Sequence, residues 1–284
     1  LNTISEILRN ISKLAEIDSS LVENVSRQLT KLAEIDSSLV ENVSRQLTKL
    51  AEIDSSLVEN VSRQLTKLSE LRNNNIDVFL TQSVKALNQY PAYKNNLLDS
   101  ISDGQNLSKN WLVEELNGRN LGNVLLCAGW YAMLLIDQRL KFTRCVSVDI
   151  DPICEPVSKI LHKHLVIDGW KFQAVTKNIH SINYRKDIFS VTRGDDSTAE
   201  FTMIPDTIIN TSCEHIENFS EWYNSIPNGK LIVLQTNNGF DIPEHVNCVS
   251  SLADFEKQTP MSEVLYSGER EMPKFTRYMK IGIK

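Results

Sequence analysis

Apolar positions along the first 72 residues recur in an almost unbroken helical rhythm. Residues 13–30, 31–48 and 49–66 are identical copies of KLAEIDSSLVENVSRQLT. Residues 1–12 read as a decayed partial copy, and 67–71 begin another that drifts into Asn73-Asn74-Asn75. Within one copy the apolar positions are Leu14, Ile17, Leu21, Val25 and Leu29, followed by Leu32 of the next, at spacings of 3, 4, 4, 4 and 3. One period therefore takes 18 residues over five turns. Heptads drive a left-handed supercoil and 11-residue repeats a right-handed one; a period made of one of each predicts a long straight α-helix. With Ala15 and Val22 the apolar stripe covers about 160° of the helix, wider than a two-stranded seam. That width predicts self-association through residues 1–72 as a trimer or higher coiled coil. At ~1.5 Å per residue the rod would be roughly 100 Å long. Glu23 and Arg27 form a favourable i,i+4 pair on its outer face. No Pro or Gly occurs before Asn75, so the copies have no turn at which to fold back.

Beyond the triple Asn the rhythm shortens. Residues 73–120 read as a helical collar, with helices over 76–90 (ending at Pro91), 95–101 and 107–116, the last two separated by Asp103-Gly104. From residue 121 short apolar runs alternate with amphipathic stretches. Strands are expected over 124–127, 145–150, 171–175, 206–210 and 230–235. Helices are expected over 130–140, 155–164 with Pro156 in its first turn, 214–226 and 252–258. Residues 187–202 read as a polar hairpin around Arg193-Gly194-Asp195-Asp196, and 263–266 with 276–283 as a closing pair. This grammar predicts an α/β domain over 121–284, an open Rossmann-like parallel sheet covered by helices, with a terminal antiparallel hairpin that adds one strand at its edge.

Composition narrows the class. The 284 residues carry 30 Lys+Arg against 36 Asp+Glu, a formal charge of −6, which argues against a protein whose main task is coating nucleic acid, and a nucleic-acid partner is not indicated. A hydrophobic fraction of 41% is enough for a packed core. No apolar run reaches the roughly 18–20 residues of a membrane span, and nothing at the start reads as a secretory leader. Cys127, Cys145, Cys154, Cys213 and Cys248 are odd in number and form no C-x-x-C pair, which fits a reducing compartment. His162 and His164 have no partner at metal-ligand spacing and read as a solvated helix end, so no metal is expected. Trp111, Trp130, Trp170 and Trp222 read as core or interface anchors, because no basic stripe accompanies them.

In open α/β sheets ligands bind beyond the carboxyl ends of the strands, at the switch in strand order. The residues that follow the strands are Ala128-Gly129-Trp130-Tyr131-Ala132, then Asp149 and Asp151, then Asn178, then Thr211-Ser212-Cys213-Glu214-His215, then Asn237-Asn238. Over about 121–284 this series resembles the class I S-adenosylmethionine-dependent methyltransferases. More narrowly, Ile209-Asn210-Thr211-Ser212-Cys213-Glu214-His215, Trp222, Asn237-Asn238, His245-Val246-Asn247-Cys248, Arg277 and Met279-Lys280-Ile281-Gly282 resemble methyltransferase-like proteins of marine tailed phages. The resemblance implies an S-adenosylmethionine cofactor held by Ala128, Gly129 and Trp130 in the first turn, by Asp149 on the ribose hydroxyls, by Asn178 near the adenine, and by Thr211. It implies His215 as a general base with Glu214 as its orienter. A phage protein would act in the host cytoplasm or as a virion component.

Alternative roles stand beside these. Asp151 fits a helix cap, Asn178 a surface turn, and Ser212 with Glu214 a helix start. Cys213 fits a small buried side chain better than a nucleophile. The family's first turn usually reads acidic-x-Gly-x-Gly-x-Gly, whereas Leu126, Ala128, Trp130 and Ala132 occupy the acidic and glycine positions here. Two functions follow: a methyltransferase held as an oligomer by the rod, or a non-catalytic adaptor that uses the fold as a head domain.

Overall fold

The computed structural model describes residues 76–116, 118–137, 139–167, 169–192 and 197–284. The 18-residue repeats, and with them the expected coiled coil, lie outside the described residues. The chain divides into two compact units, Leu1–Leu107 and Ser108–Lys284.

In the first unit, helix α1 (Ile76–Gln89) stops before Pro91, whose ring opens a 3-10 turn over Pro91–Tyr93. Helix α2 (Lys94–Asp99) follows, and α3 (Asp103–Leu116) begins at the Asp103-Gly104 pair that the sequence marks as a separator. Val84, Ala86, Leu97 and Ile101 are buried. The unit boundary falls within α3, so the last residues of the expected collar belong to the second unit. There Ser108 Oγ donates to Gln235 Oε1 at 2.9 Å, and Trp111 Nε1 donates to the Tyr266 hydroxyl at 3.0 Å.

The second unit is built on β1 (Asn123–Cys127), β2 (Arg144–Asp149), β3 (Phe172–Thr176), β4 (Asp187–Thr192), β5 (Thr198–Met203), β6 (Thr207–Asn210), β7 (Leu231–Asn237), β8 (Glu263–Glu271) and β9 (Thr276–Ile283). Seven strands form one sheet in the order β3-β2-β1-β6-β7-β9-β8. The first five run parallel; β9 lies antiparallel between β7 and β8. The closing hairpin thus adds two antiparallel strands rather than one, because β9 pairs with β7 along its whole length. Strands β4 and β5 form the separate hairpin expected over 187–202. It is polar only outwardly: Phe189, Val191, Ala199 and Met203 are buried.

Alternate strand residues build the core. Leu125 and Cys127, Val146 and Val148, Ile208, and Ile232 and Leu234 join one cluster with Phe189, Met203, Phe219 and Trp222. Full burial of each large side chain contributes about 1.5–3 kcal/mol. Trp111 and Trp222 are buried and Trp130 and Trp170 half-buried. Among the described residues no helix is long and apolar enough to cross a membrane.

Two expected helices are shorter or absent. Among the described residues of 130–140 the helical element is a 3-10 turn, Met133–Ile136, because Trp130 and Ala132 lie at φ 49° and 54° and break the right-handed path. Residues 214–226 split into a 3-10 turn, Cys213–His215, and helix α6 (Phe219–Ser225), because Asn218 lies at φ 49°. Helix α4 (Cys154–Leu161) carries Pro156 in its first turn, and α5 (Lys163–Ile167) follows it. Helix α7 (Leu252–Gln258) is capped by Ser251, whose side chain accepts from the Asp254 amide at 3.2 Å.

Candidate functional site

Strand β1 has β2 on one side and β6 on the other, so its carboxyl end is the switch point of the sheet. The turn that follows β1 is strained. Ala128, Trp130 and Ala132 lie at φ 48°, 49° and 54°, a region that costs a residue with a β-carbon roughly 1–2 kcal/mol. These are the three positions at which the resemblance expects glycine. Gly129 sits between them, and a β-carbon there would collide with Ser147 Oγ of β2.

Neighbouring groups hold this turn in place. The Trp130 amide donates to Asp149 Oδ2 at 2.8 Å, and Ser158 Oγ of α4 donates to the Trp130 carbonyl at 3.1 Å. His162 Nε2 lies 3.0 Å from the Tyr131 carbonyl oxygen. The expectation of a solvated helix end fails for His162, which is fully buried. Its ring packs edge-on to Phe172 with centroids 5.0 Å apart, and burial lowers its pKa to about 4.

Asp149, at the end of β2, also accepts the Asp151 amide on Oδ1 at 3.0 Å. Each carboxylate oxygen thus takes one backbone N–H, and the Cys154 thiol also interacts with the carboxylate. The side chain is half-buried, and Ile150 beside it is 69% exposed. Asp151 accepts the Ile153 amide at 3.1 Å, close to the capping role expected of it. Asn178 is exposed and caps a 3-10 turn, its Oδ1 accepting from the His180 amide at 2.9 Å.

The turn after β6 is built around charge. Glu214 is buried, and Arg277 of β9 donates from Nη1 to its Oε1 at 2.9 Å. The Arg277 Nη2 donates to the Thr211 carbonyl. The side chains of the pair are 4% and 3% exposed. Expected as the orienter of His215, Glu214 is instead engaged by Arg277. His215 is exposed, and the group that orients its ring is the Glu244 carbonyl, 3.0 Å from Nδ1. The His215 and His245 rings meet edge-on, centroids 4.7 Å apart. Ser212 stands at the start of the 3-10 turn with Glu214 in its first turn, as expected of a helix start, but its side chain makes no cap bond. Cys213 is fully buried, and burial pushes its thiol well above the usual range, which suits a packing role. An open groove of about 640 Å³ lies beside this turn, lined by Ile216, Glu217, Phe219, Glu221, Val246 and Asn247.

Buried polar atoms without a hydrogen-bond partner concentrate at this edge. Among the described residues they include Asn210 Nδ2, Glu214 Oε2, Asn237 Nδ2 and Arg277 Nε. Sequence reasoning missed that Arg277 pairs with Glu214 and that His245 meets His215. The Glu214–Arg277 pair spans 63 positions, and no local spacing signals it.

The sheet is Rossmann-like and mostly parallel. No family model and no curated relative matches the chain. Among solved structures, the N-methyltransferase NodS from Bradyrhizobium japonicum WM9, in complex with S-adenosyl-L-homocysteine, is similar at 10% identity and TM-score 0.48, over 73% of this chain and 98% of that one. Magnesium protoporphyrin IX methyltransferase from Synechocystis PCC 6803 with bound SAM is similar at 12% identity and TM-score 0.44, over 67% and 83%. The YcgJ protein from Bacillus subtilis is similar at 10% identity and TM-score 0.45, over 63% and 98%.

Proposed function

We propose that the second unit binds S-adenosylmethionine at the carboxyl edge of β1 and β2 and acts as a methyltransferase. The observation that carries this reading is Asp149: a half-buried carboxylate at the switch point, fixed by two backbone amides, with an exposed isoleucine beside it. A carboxylate so placed accepts both hydroxyls of a ribose, and Ile150 offers an apolar surface to a purine. The Asn178 amide group is free to donate while its oxygen caps the turn. The left-handed path of the β1 turn keeps the conformations that glycines would supply, so the residues fit a nucleoside. S-adenosylmethionine, when bound, supplies a methyl group on a sulfonium. The chain's part is to position an acceptor and strip it of water. His215, with Nδ1 donating to a carbonyl, keeps a basic Nε2 for a proton that the acceptor must lose. The repeat segment would hold several such units together, and the resemblance to phage proteins supports action in the host cytoplasm or in the virion.

Calorimetry with S-adenosylmethionine on the full chain tests this. Heat near micromolar ligand is expected, and Asp149→Asn is expected to weaken binding ~10-fold, the loss of a charge-assisted hydrogen bond. No heat at millimolar ligand would overturn it and leave the second reading, a non-catalytic head domain of a virion appendage or scaffold. One observation favours that second reading: the β-carbons of Ala128, Trp130 and Ala132 stand where a bound ligand needs close backbone approach.

A further inference from the structure

A second constellation lies at the end of β6, apart from the groups that would hold the nucleoside; it shares His215 with the proposed methyl transfer, and an ion on that Nε2 takes the place of its role as base. Glu214, His215 and His245 each offer one ligand atom, and these atoms lie within 4.8 Å of one another. Both rings are held in the same way: His215 Nδ1 is 3.0 Å from the Glu244 carbonyl, and His245 Nδ1 is 3.0 Å from the Gly239 carbonyl. A carbonyl oxygen only accepts. Each neutral ring therefore carries its proton on Nδ1 and keeps its lone pair on Nε2. A backbone carbonyl on the other ring nitrogen is the usual device by which a protein presents a ligating imidazole.

Glu214 supplies the third part. Arg277 occupies Oε1, while Oε2 is buried with no hydrogen-bond partner among the described residues. A buried acceptor left without a donor bears its full desolvation penalty, which a bound cation would relieve. We propose that Glu214, His215 and His245 form a binding site for a divalent transition-metal ion such as zinc, cobalt or manganese. Two imidazoles and one carboxylate suit these ions better than magnesium or calcium. Three protein ligands leave a position open to water or to a substrate oxygen. The groove lined by Phe219, Val246 and Asn247 is formed by the two segments that carry the three ligands. The Arg277 guanidinium repels a cation, so affinity lies below that of a site with an unpaired carboxylate. The site stands whether or not the nucleoside reading holds.

The test uses the full chain after chelator treatment. Cobalt is followed by its visible absorption, zinc by calorimetry and by X-ray absorption. The expected result is one ion per chain, with His215→Ala and His245→Ala each weakening binding at least ~10-fold, since even outer partners of a ligand change affinity that much. Zinc bound to the unmutated chain should show a nitrogen/oxygen shell at about 2.0–2.1 Å with imidazole scattering. This readout does not depend on the variants folding. Absence of binding, affinity unchanged in both variants, or a sulfur shell at about 2.3 Å from Cys248 or another thiol would each overturn the proposal.

Discussion

The turns after β1 and after β6 are neighbours, since Leu126 pairs with Ile209 in register, yet they are held in opposite ways. The β1 turn is strained in its backbone, and the backbone groups at its centre are met by side chains. Asp149, Ser158 and His162 meet the backbone groups of Trp130 and Tyr131. The β6 turn has a buried ion pair and several buried polar atoms that no described residue satisfies. Strain of the first kind is sustained by packing around it. Deficits of the second kind call for a water, an ion or a ligand. The difference teaches that the β1 turn holds its backbone shape with the chain's own groups, whereas the β6 turn leaves buried charge and acceptors for something to arrive.

The largest expected effect breaks the β6 side. Arg277→Met leaves Glu214 buried without its partner and should destabilise the protein by about 3–5 kcal/mol in urea unfolding. The double variant Glu214→Gln/Arg277→Met should recover most of that loss. A loss that is merely additive would remove the contrast between the turns.

Next comes acid. His162 has a folded pKa of about 4, below its unfolded value of roughly 6.5, so between these values the unfolded chain binds more protons. Its contribution is fully present above about pH 6.5 and is lost as pH falls towards 4, on the order of 3 kcal/mol in all. Thermal melts across that window should show the decline, and His162→Gln, which can still donate to the Tyr131 carbonyl, should flatten it. An unchanged slope in the variant would mean that His162 does not brace the turn.

The smallest effect relieves strain. Ala128→Gly removes a β-carbon at φ 48°, gaining roughly 1–2 kcal/mol, against about 0.4–1 kcal/mol of added unfolded-state entropy. A net rise of about 0.5–1 kcal/mol is expected from denaturant curves. A loss would show that this alanine is not strained.

Short apolar runs made the parallel strands legible: β1, β2, β3, β6 and β7 fall within two residues of their expected ends. Helix α7 was legible at both ends, because Ser251 caps it and its pattern is regular. The stretches after β1 and β6 were not. Trp130, Ala132 and Asn218 adopt left-handed backbone without a glycine to mark it, so apolar spacing alone read on as helix. Asp149 could be found because it ends a strand at the switch point. His245 could not, since it reaches Glu214 and His215 from a separate loop whose only link to them is the fold. Burial of His162 was hidden for a related reason: its carbonyl partner belongs to a turn of non-glycine residues that no sequence rule foresees.

Arg277 comes from β9, the strand that follows every other strand in the chain and slots between two made earlier. While the polypeptide is being synthesised, Glu214 emerges well before the cation that neutralises it. Until that insertion the carboxylate must stay wet, and the edge of β7 stays open. Completion of the acceptor side therefore coincides with closure of the sheet, so a nascent chain still lacking β9 can hold neither the ion pair nor the geometry around it.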